Sequence, residues 1–266
     1  MSARLRGIAT DTLAIVRDGG YTSPAGTRVD LGDDIARAVA GTRLYLPEDR
    51  LPDPDPAVTP AIEVTTESTV DAGRRLGPGT AALVFASARN PGGGFRTGAR
   101  AQEEDIARAS ALYACLLAVP DFYSYHRADD DLRYSDRVIY SPDVPVLRDD
   151  RGALLDEPYR LSLLTAAAPN RGAIATNQAH RLDSVPAAVT VRAERVLRVA
   201  AVHGHRTLVL GAWGCGVFAN SPAVVAGAFR TALGRVPAFD RVVFAVLDRT
   251  GDGPTYRAFV EAFAGG

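Results

Sequence analysis

The chain has 266 residues and carries 30 basic residues against 31 acidic ones, a formal net charge of -1. Hydrophobic residues make up 47% and charged residues 23%, average globular usage that excludes a disordered or collagen-like chain, while the charge balance argues against general binding along a nucleic-acid backbone. Every basic residue is an arginine, so Schiff-base chemistry and a phosphate-loop lysine are excluded, and the two cysteines, Cys115 and Cys215, form no C-x-x-C and imply neither a disulfide framework nor a zinc site.

Met1 to Gly20 carries Asp11 and Asp18 among its apolar residues, and no apolar run approaches a membrane span, so a soluble, cytoplasmic protein is expected. Leu5, Ile8, Leu13 and Val16 recur at helical spacing between Ala3 and Arg17, and Asp33 to Ala40 reads as a second short helix. These form an expected N-terminal helical cap. Pro52, Pro54, Pro56 and Pro60 then remove backbone donors and mark an irregular connection, giving a cap and connection over residues 1–60 and a core over 61–266.

Beyond the connection, short β-branched runs alternate with helices. Strands are predicted at Ile62 to Thr65, Ala81 to Ser87, Val138 to Tyr140, Leu161 to Ala167, Thr207 to Leu210 and Arg241 to Leu247. Helices are predicted at Ser68 to Leu76, Glu103 to Val119, Ala187 to His203 and Ala223 to Leu233. The alternation argues for a three-layer α/β domain around a largely parallel sheet.

Ligand sites in such sheets lie beyond the carboxyl ends of strands. The strand ending at Ser87 runs into Asn90, Pro91 and three glycines, Gly92, Gly93 and Gly94, which let backbone approach a ligand; a plain turn is the simpler alternative. The strand ending at Leu210 runs into Gly211-Ala-Trp-Gly-Cys-Gly-Val-Phe218, and Ser221-Pro222 then opens a helix. Strand, glycine loop and helix start together suit a diphosphate. Trp213 and Phe218 either pack this loop or face a ligand. Cys215 near that helix start is a weak nucleophile candidate, with no histidine adjacent in sequence.

Gln102, Glu103 and Glu104 open the next helix a short loop after the triple glycine. Acidic residues there complement the helix dipole; alternatively they meet a bound sugar, where adjacent residues diverge by roughly 100° and take different jobs. Glycosidic cleavage needs an acid at the leaving oxygen and stabilisation of an oxocarbenium-like centre. His126, His180, His203 and His205 show no metal-ligand spacing and read as surface or helix-end residues, and Asp129 to Asp131 read as a solvated loop.

The run NPGGGFRTGARAQEE from Asn90 to Glu104 resembles the signature of bacterial-type poly(ADP-ribose) glycohydrolases, and GAWGCGVFANSP resembles the diphosphate loop of the same family. YSPDVPVLRDD at Tyr140 to Asp150 and AAAPN at Ala166 to Asn170 extend the likeness over most of the chain. The resemblance implies a macrodomain-like mixed sheet in three layers with an N-terminal helical cap. It implies that Glu104 protonates the leaving ribose oxygen and then activates water, that Glu103 orients the ribose and that Gln102 supports the pair. It implies substrate binding by Asn90, Gly92 to Gly94, and Gly214, Cys215, Gly216, Val217 and Phe218, with no metal and no cofactor. The expected substrate is poly(ADP-ribose), or ADP-ribosylated macromolecules, with ADP-ribose as product. A non-catalytic ADP-ribose reader and a mono-ADP-ribosyl hydrolase are the competing readings; the Gln-Glu-Glu run favours an enzyme over a reader.

Overall fold

The structure is a computed structural model that describes residues 2–53, 59–248 and 250–264; Pro54 and Pro56 of the proline-rich connection lie outside the described residues. Helix α1, Ala3–Asp18, starts where Ser2 Oγ accepts the Leu5 amide and stops at Gly19, whose φ of +74° suits glycine. A hairpin of β1, Gly20–Thr22, and β2, Arg28–Asp30, leads to α2, Gly32–Gly41, and the short strand β3, Arg43–Tyr45. Next come β4, Ala61–Thr65, then α3, Thr69–Leu76, capped by Ser68, then β5, Thr80–Phe85. Helices α4, Gln102–Ala109, α5, Leu112–Leu117, and α6, Pro120–Ala128, precede the long strands β6, Val138–Arg148, and β7, Leu154–Ala166. The chain closes through α7, Arg171–Asn177, α8, Val185–Val202, β8, Thr207–Leu210, α9, Pro222–Arg235, β9, Arg241–Ala245, and α10, Pro254–Phe263.

Seven strands form one mixed sheet in the order β3-β6-β7-β5-β8-β9-β4. The five from β7 to β4 run parallel, and β6 and β3 add two antiparallel pairings at one edge. Residue alternation splits the central strand between two cores: Ala81 and Leu83 of β5 pack toward α8 and α9, whereas Ala82 and Val84 pack toward α2, α4 and α5. Burial on both faces explains why these strands read as continuous apolar runs. Ile15, Tyr21, Leu31 and Ile35 share the second core, and β3 places Leu44 opposite Ile139, so the N-terminal segment is built onto the sheet.

Strands β1 to β3 and helices α6, α7 and α10 are not predicted from the sequence, and three predicted elements take different bounds. The single helix predicted over Glu103 to Val119 is two helices, because Ser110 leaves the helix in extended geometry, bridges Val146 of β6, and is followed by an Ala111 amide that donates to Pro145 O at 3.0 Å. Strand β6 runs well past Tyr140. Its Pro142 and Pro145 disguise it, and Asp143, at a φ of +44°, makes a bulge between Ser141 and Val144. Strand β7 likewise begins seven residues earlier than predicted, with Pro158 inside it.

Candidate active site

Strands β5 and β8 are parallel neighbours, so the loops beyond their carboxyl ends face each other. The pairing of β5 with β8 ends at Ala82–Val209, which leaves the next backbone groups on that edge of β5 open. Gln102 fills the gap: its Oε1 accepts the Phe85 amide at 2.8 Å and its Nε2 donates to Leu83 O at 2.7 Å and Thr69 Oγ1 at 3.1 Å. Two residues along, Glu103 Oε2 accepts the Ser87 amide at 2.6 Å. The first turn of α4 is thereby stitched to the end of β5. Arg108, buried in the next turn, donates to Ala99 O at 2.7 Å and fixes the loop that leads into the helix.

The triple glycine completes this arrangement. Gly92 and Gly93 have φ of +66° and +57°, and Phe95, fully buried, anchors the loop from below. Gly94 donates its amide to Glu104 Oε1 at 3.0 Å. Gly93 lies directly against both carboxylates. Their surroundings differ: Glu103 is 2% exposed, while Glu104 is half-buried. Burial pushes the Glu103 carboxyl well above the ordinary range, opposed by the Ser87 amide and reinforced by the neighbouring Glu104 charge.

The second loop is held from several sides. Trp213 is fully buried and donates Nε1–H to Ala166 O at 3.0 Å, so it packs the loop. Asn220 donates to Pro169 O at 2.8 Å, and the Gly172 amide of α7 donates to Phe218 O at 3.0 Å. Gly214 has a φ of +71°, with Ala168 Cβ 2.6 Å from where its own Cβ would be. Ser221, at the start of α9, makes no side-chain capping bond, which leaves the first amides of that helix open.

Beside the second loop lies a cleft of about 550 Å³ lined by Phe85, Gln102, Ala212, Cys215, Gly216 and Leu247, among others; the triple glycine, the two carboxylates and Phe218 do not line it. Val217 is 90% exposed at the loop tip, and Asn90 is exposed, accepting the Gly93 amide through its carbonyl. Burial pushes the Cys215 thiol up to about 12, which removes it as a thiolate nucleophile. Among the described residues no group of three or more potential metal ligands is assembled, and no helix is long and apolar enough to cross a membrane.

Sequence reasoning missed Tyr134, whose ring centroid lies 6.0 Å from that of Phe218, and Arg192, a buried arginine beneath it. Arg192 falls on the apolar stripe of α8 with Val189, Ala193 and Val196, and a charge on such a stripe was the available signal. Two expectations are corrected. His126, in the last turn of α6, and His205, just past α8, take helix-end places but are buried rather than at the surface. Asp131 is tied to Arg133 at 2.6 Å and Arg181 at 2.7 Å rather than solvated, because the 129–136 segment packs under the second loop's aromatic ring.

The family model described as microbial-type PARG, catalytic domain, matches residues 9–149. No curated protein matches the chain. Among solved structures, the poly(ADP-ribose) glycohydrolase from Thermomonospora curvata is 47% identical, superposes with a TM-score of 0.92, and aligns over 98% of this chain and all of its own. The same enzyme bound to the inhibitor ADP-HPD is 48% identical with a TM-score of 0.89, covering 98% of this chain and all of its own. The Deinococcus radiodurans enzyme in complex with ADP-ribose is 44% identical with a TM-score of 0.79, covering 86% of this chain and 96% of its own. With the macrodomain-like sheet, the two facing glycine loops and the Gln-Glu-Glu turn already in place, these matches show that the chain belongs to the microbial-type poly(ADP-ribose) glycohydrolase family and is a glycohydrolase of that class.

Proposed function

We propose that this chain hydrolyses the ribose–ribose O-glycosidic bond of poly(ADP-ribose), releasing ADP-ribose, with Glu104 as acid and base and Glu103 as the residue that orients the ribose. The observation that carries this reading is the unequal pair of carboxyls on one turn. Glu103 is buried and immobilised by the Ser87 amide, with Oε1 lacking a partner among the described residues, so it suits a ribose hydroxyl. Glu104 is half-buried, with Oε1 accepting the Gly94 amide, so it keeps access to both substrate and water for proton exchange.

The diphosphate lies between Gly92 to Gly94 and Gly214 to Phe218, near the open amides of α9. Asn90 and Val217 border it, and Gln102 supports the carboxyl pair. Phe218 packs beside the distal ribose. Glu104 gives its proton to the leaving 2′-oxygen as the C1–O bond breaks, and the positive charge spreads over C1 and the ring oxygen. Water then attacks C1 and returns a proton to Glu104, so one water is consumed per bond.

Glu104→Gln keeps the shape and the Gly94 hydrogen bond but cannot donate and recover a proton. Turnover on defined poly(ADP-ribose) is expected to fall by roughly 10² to 10⁴-fold, with ADP-ribose affinity in titration calorimetry close to wild type. Near-wild-type turnover would overturn the assignment. Parallel incubation with mono-ADP-ribosylated protein separates polymer cleavage from removal of the last unit.

A further inference from the structure

The buried arginine of α8 has no role in the reading above, yet its partners lead to the site. Arg192 is 2% exposed and donates four hydrogen bonds. Nε reaches Asp136 Oδ1 at 2.9 Å, Nη1 reaches Arg133 O at 2.8 Å and Ala167 O at 2.6 Å, and Nη2 reaches Tyr134 O at 3.2 Å. One guanidinium therefore ties the 133–136 turn to the residue that follows β7. Among the described residues only one carboxylate, Asp136, touches this charge, with Asp131 adding a longer-range attraction, and an apolar side chain would fill the same space at lower cost. Three of its four hydrogen bonds go to one turn, to the carbonyls of Arg133 and Tyr134 and the Asp136 carboxylate.

That turn is strained. Tyr134 has a φ of +60°, a conformation rare for a bulky aromatic residue. Its backbone is also held on the far side, where the Ser135 amide donates to His126 Nε2 at 3.2 Å and Ser135 Oγ lies 2.8 Å from the same atom. The outcome is a fixed ring: Tyr134 stands with its centroid 5.7 Å from His126 and 6.0 Å from Phe218. Phe218 itself projects from the second glycine loop, where the Gly172 amide holds its carbonyl.

We infer that Arg192 is a positioning residue for the glycohydrolase reaction: by clamping the 133–136 turn it holds Tyr134 against Phe218 and sets the aromatic wall beside the distal ribose. The inference rests on the proposed place of the ribose beside Phe218. A wall displaced by about 1 Å misaligns the anomeric carbon with Glu104, and misplacement of that size costs up to roughly 10²-fold in rate. The diphosphate contacts are untouched and only the ribose wall shifts, so product affinity should fall far less than kcat.

The test is a double-mutant cycle of Arg192→Lys and Tyr134→Gly, read as kcat and KM on poly(ADP-ribose), ADP-ribose affinity by calorimetry, and the thermal midpoint. Arg192→Lys should lower kcat by roughly 10- to 100-fold, with ADP-ribose affinity within about threefold of wild type. Glycine at 134 removes both the ring and the strain, so adding Arg192→Lys to it should cost no further kcat. Wild-type kcat in folded Arg192→Lys, or losses that multiply in the double variant, would overturn the inference. If Arg192→Lys does not fold, Asp136→Asn replaces it and should show the same non-additivity with a smaller loss. Failure here with Glu104→Gln inactive removes only the role of Arg192; an active Glu104→Gln removes the reading of the site.

Discussion

A Cβ added at Gly93 would overlap Glu104 Oε1 and sit 3.1 Å from Glu103 Oε2, whereas one added at Gly216 would meet no atom within 4 Å. Gly93 is there so that the two carboxyls can lie against backbone; Gly216 leaves open space in the cleft. Gly216→Leu is therefore expected to fold normally and to weaken ADP-ribose binding by roughly tenfold or more, the loss of one charge-assisted backbone contact to phosphate. Unchanged affinity by calorimetry would remove the diphosphate from this loop. Glu103 makes a prediction of a different kind. Its folded-state pKa is raised, so its contribution to stability is fully present below the unfolded value near 4.5 and is lost as pH rises. Wild type should thus lose stability relative to Glu103→Gln between pH 5 and pH 8, measured as urea midpoints, while the variant loses turnover and binds ADP-ribose more weakly. Parallel pH profiles for the two proteins would show that Glu103 does not resist ionisation.

The element proposed to carry the chemistry is the first turn of α4, and one amide side chain, Gln102, ties it to the open edge of β5. Gln102 stands in for a neighbouring strand, satisfying Phe85 N–H and Leu83 O where β8 has already turned away. Gln102→Ala leaves both backbone groups unpaired and should cost about 2–3 kcal/mol of stability by urea titration. It should also lower turnover, because Glu103 and Glu104 ride on the same turn. A stable variant with full turnover would show that the Ser87 and Gly94 amides suffice to place the helix. The break at Ser110 serves the same end: it keeps α4 short, and α5 follows the long β6 strand instead.

Across the whole molecule, three histidines are held neutral by burial, His126 on α6 and the pair His203 and His205 just past α8. His126 and His203 are each lowered to about 4, and His205 is lowered as well. His126 Nε2 accepts the Ser135 amide, and protonation would turn this acceptor into a donor. His203 stacks on Tyr140 at 3.6 Å, and Tyr140 Oη meets His205 Nε2 at 2.8 Å, linking α8 to the sheet. Because the unfolded chain takes up these protons near pH 6.5 and the folded chain refuses them, stability is complete above pH 6.5 and falls as pH drops toward 4. His126 alone, fully buried, accounts for on the order of 3 kcal/mol across that window. Because Glu103 has the opposite slope in wild type, the check is made in Glu103→Gln, where urea midpoints that stay flat from pH 6.5 to pH 5 would contradict the burial of neutral imidazoles.

The layers of the fold were legible in the sequence because they follow from local rules. Doubly buried strands such as Ala81 to Val84 read as apolar runs, and glycines, prolines and capping serines mark where helices begin and end. The candidate site could be marked out for the same reason: Gly92 to Gly94, Gln102 to Glu104 and Gly214 to Phe218 are contiguous runs after strand ends, and the family resemblance supplied the roles proposed for them. What only the tertiary structure decided depends on partners far away along the chain. Ser110 ends α4 because Val146 pairs with it, β6 is a strand despite Pro142 and Pro145 because β7 supplies its partners, and Leu44 becomes an edge strand opposite Ile139. Arg192 reads as an anomaly on an apolar helix face until Ala167, Arg133, Tyr134 and Asp136, which lie 25 to 59 residues away, are folded around it. Propensity and periodicity act over a few residues, whereas the satisfaction of buried donors and acceptors is a property of the closed structure.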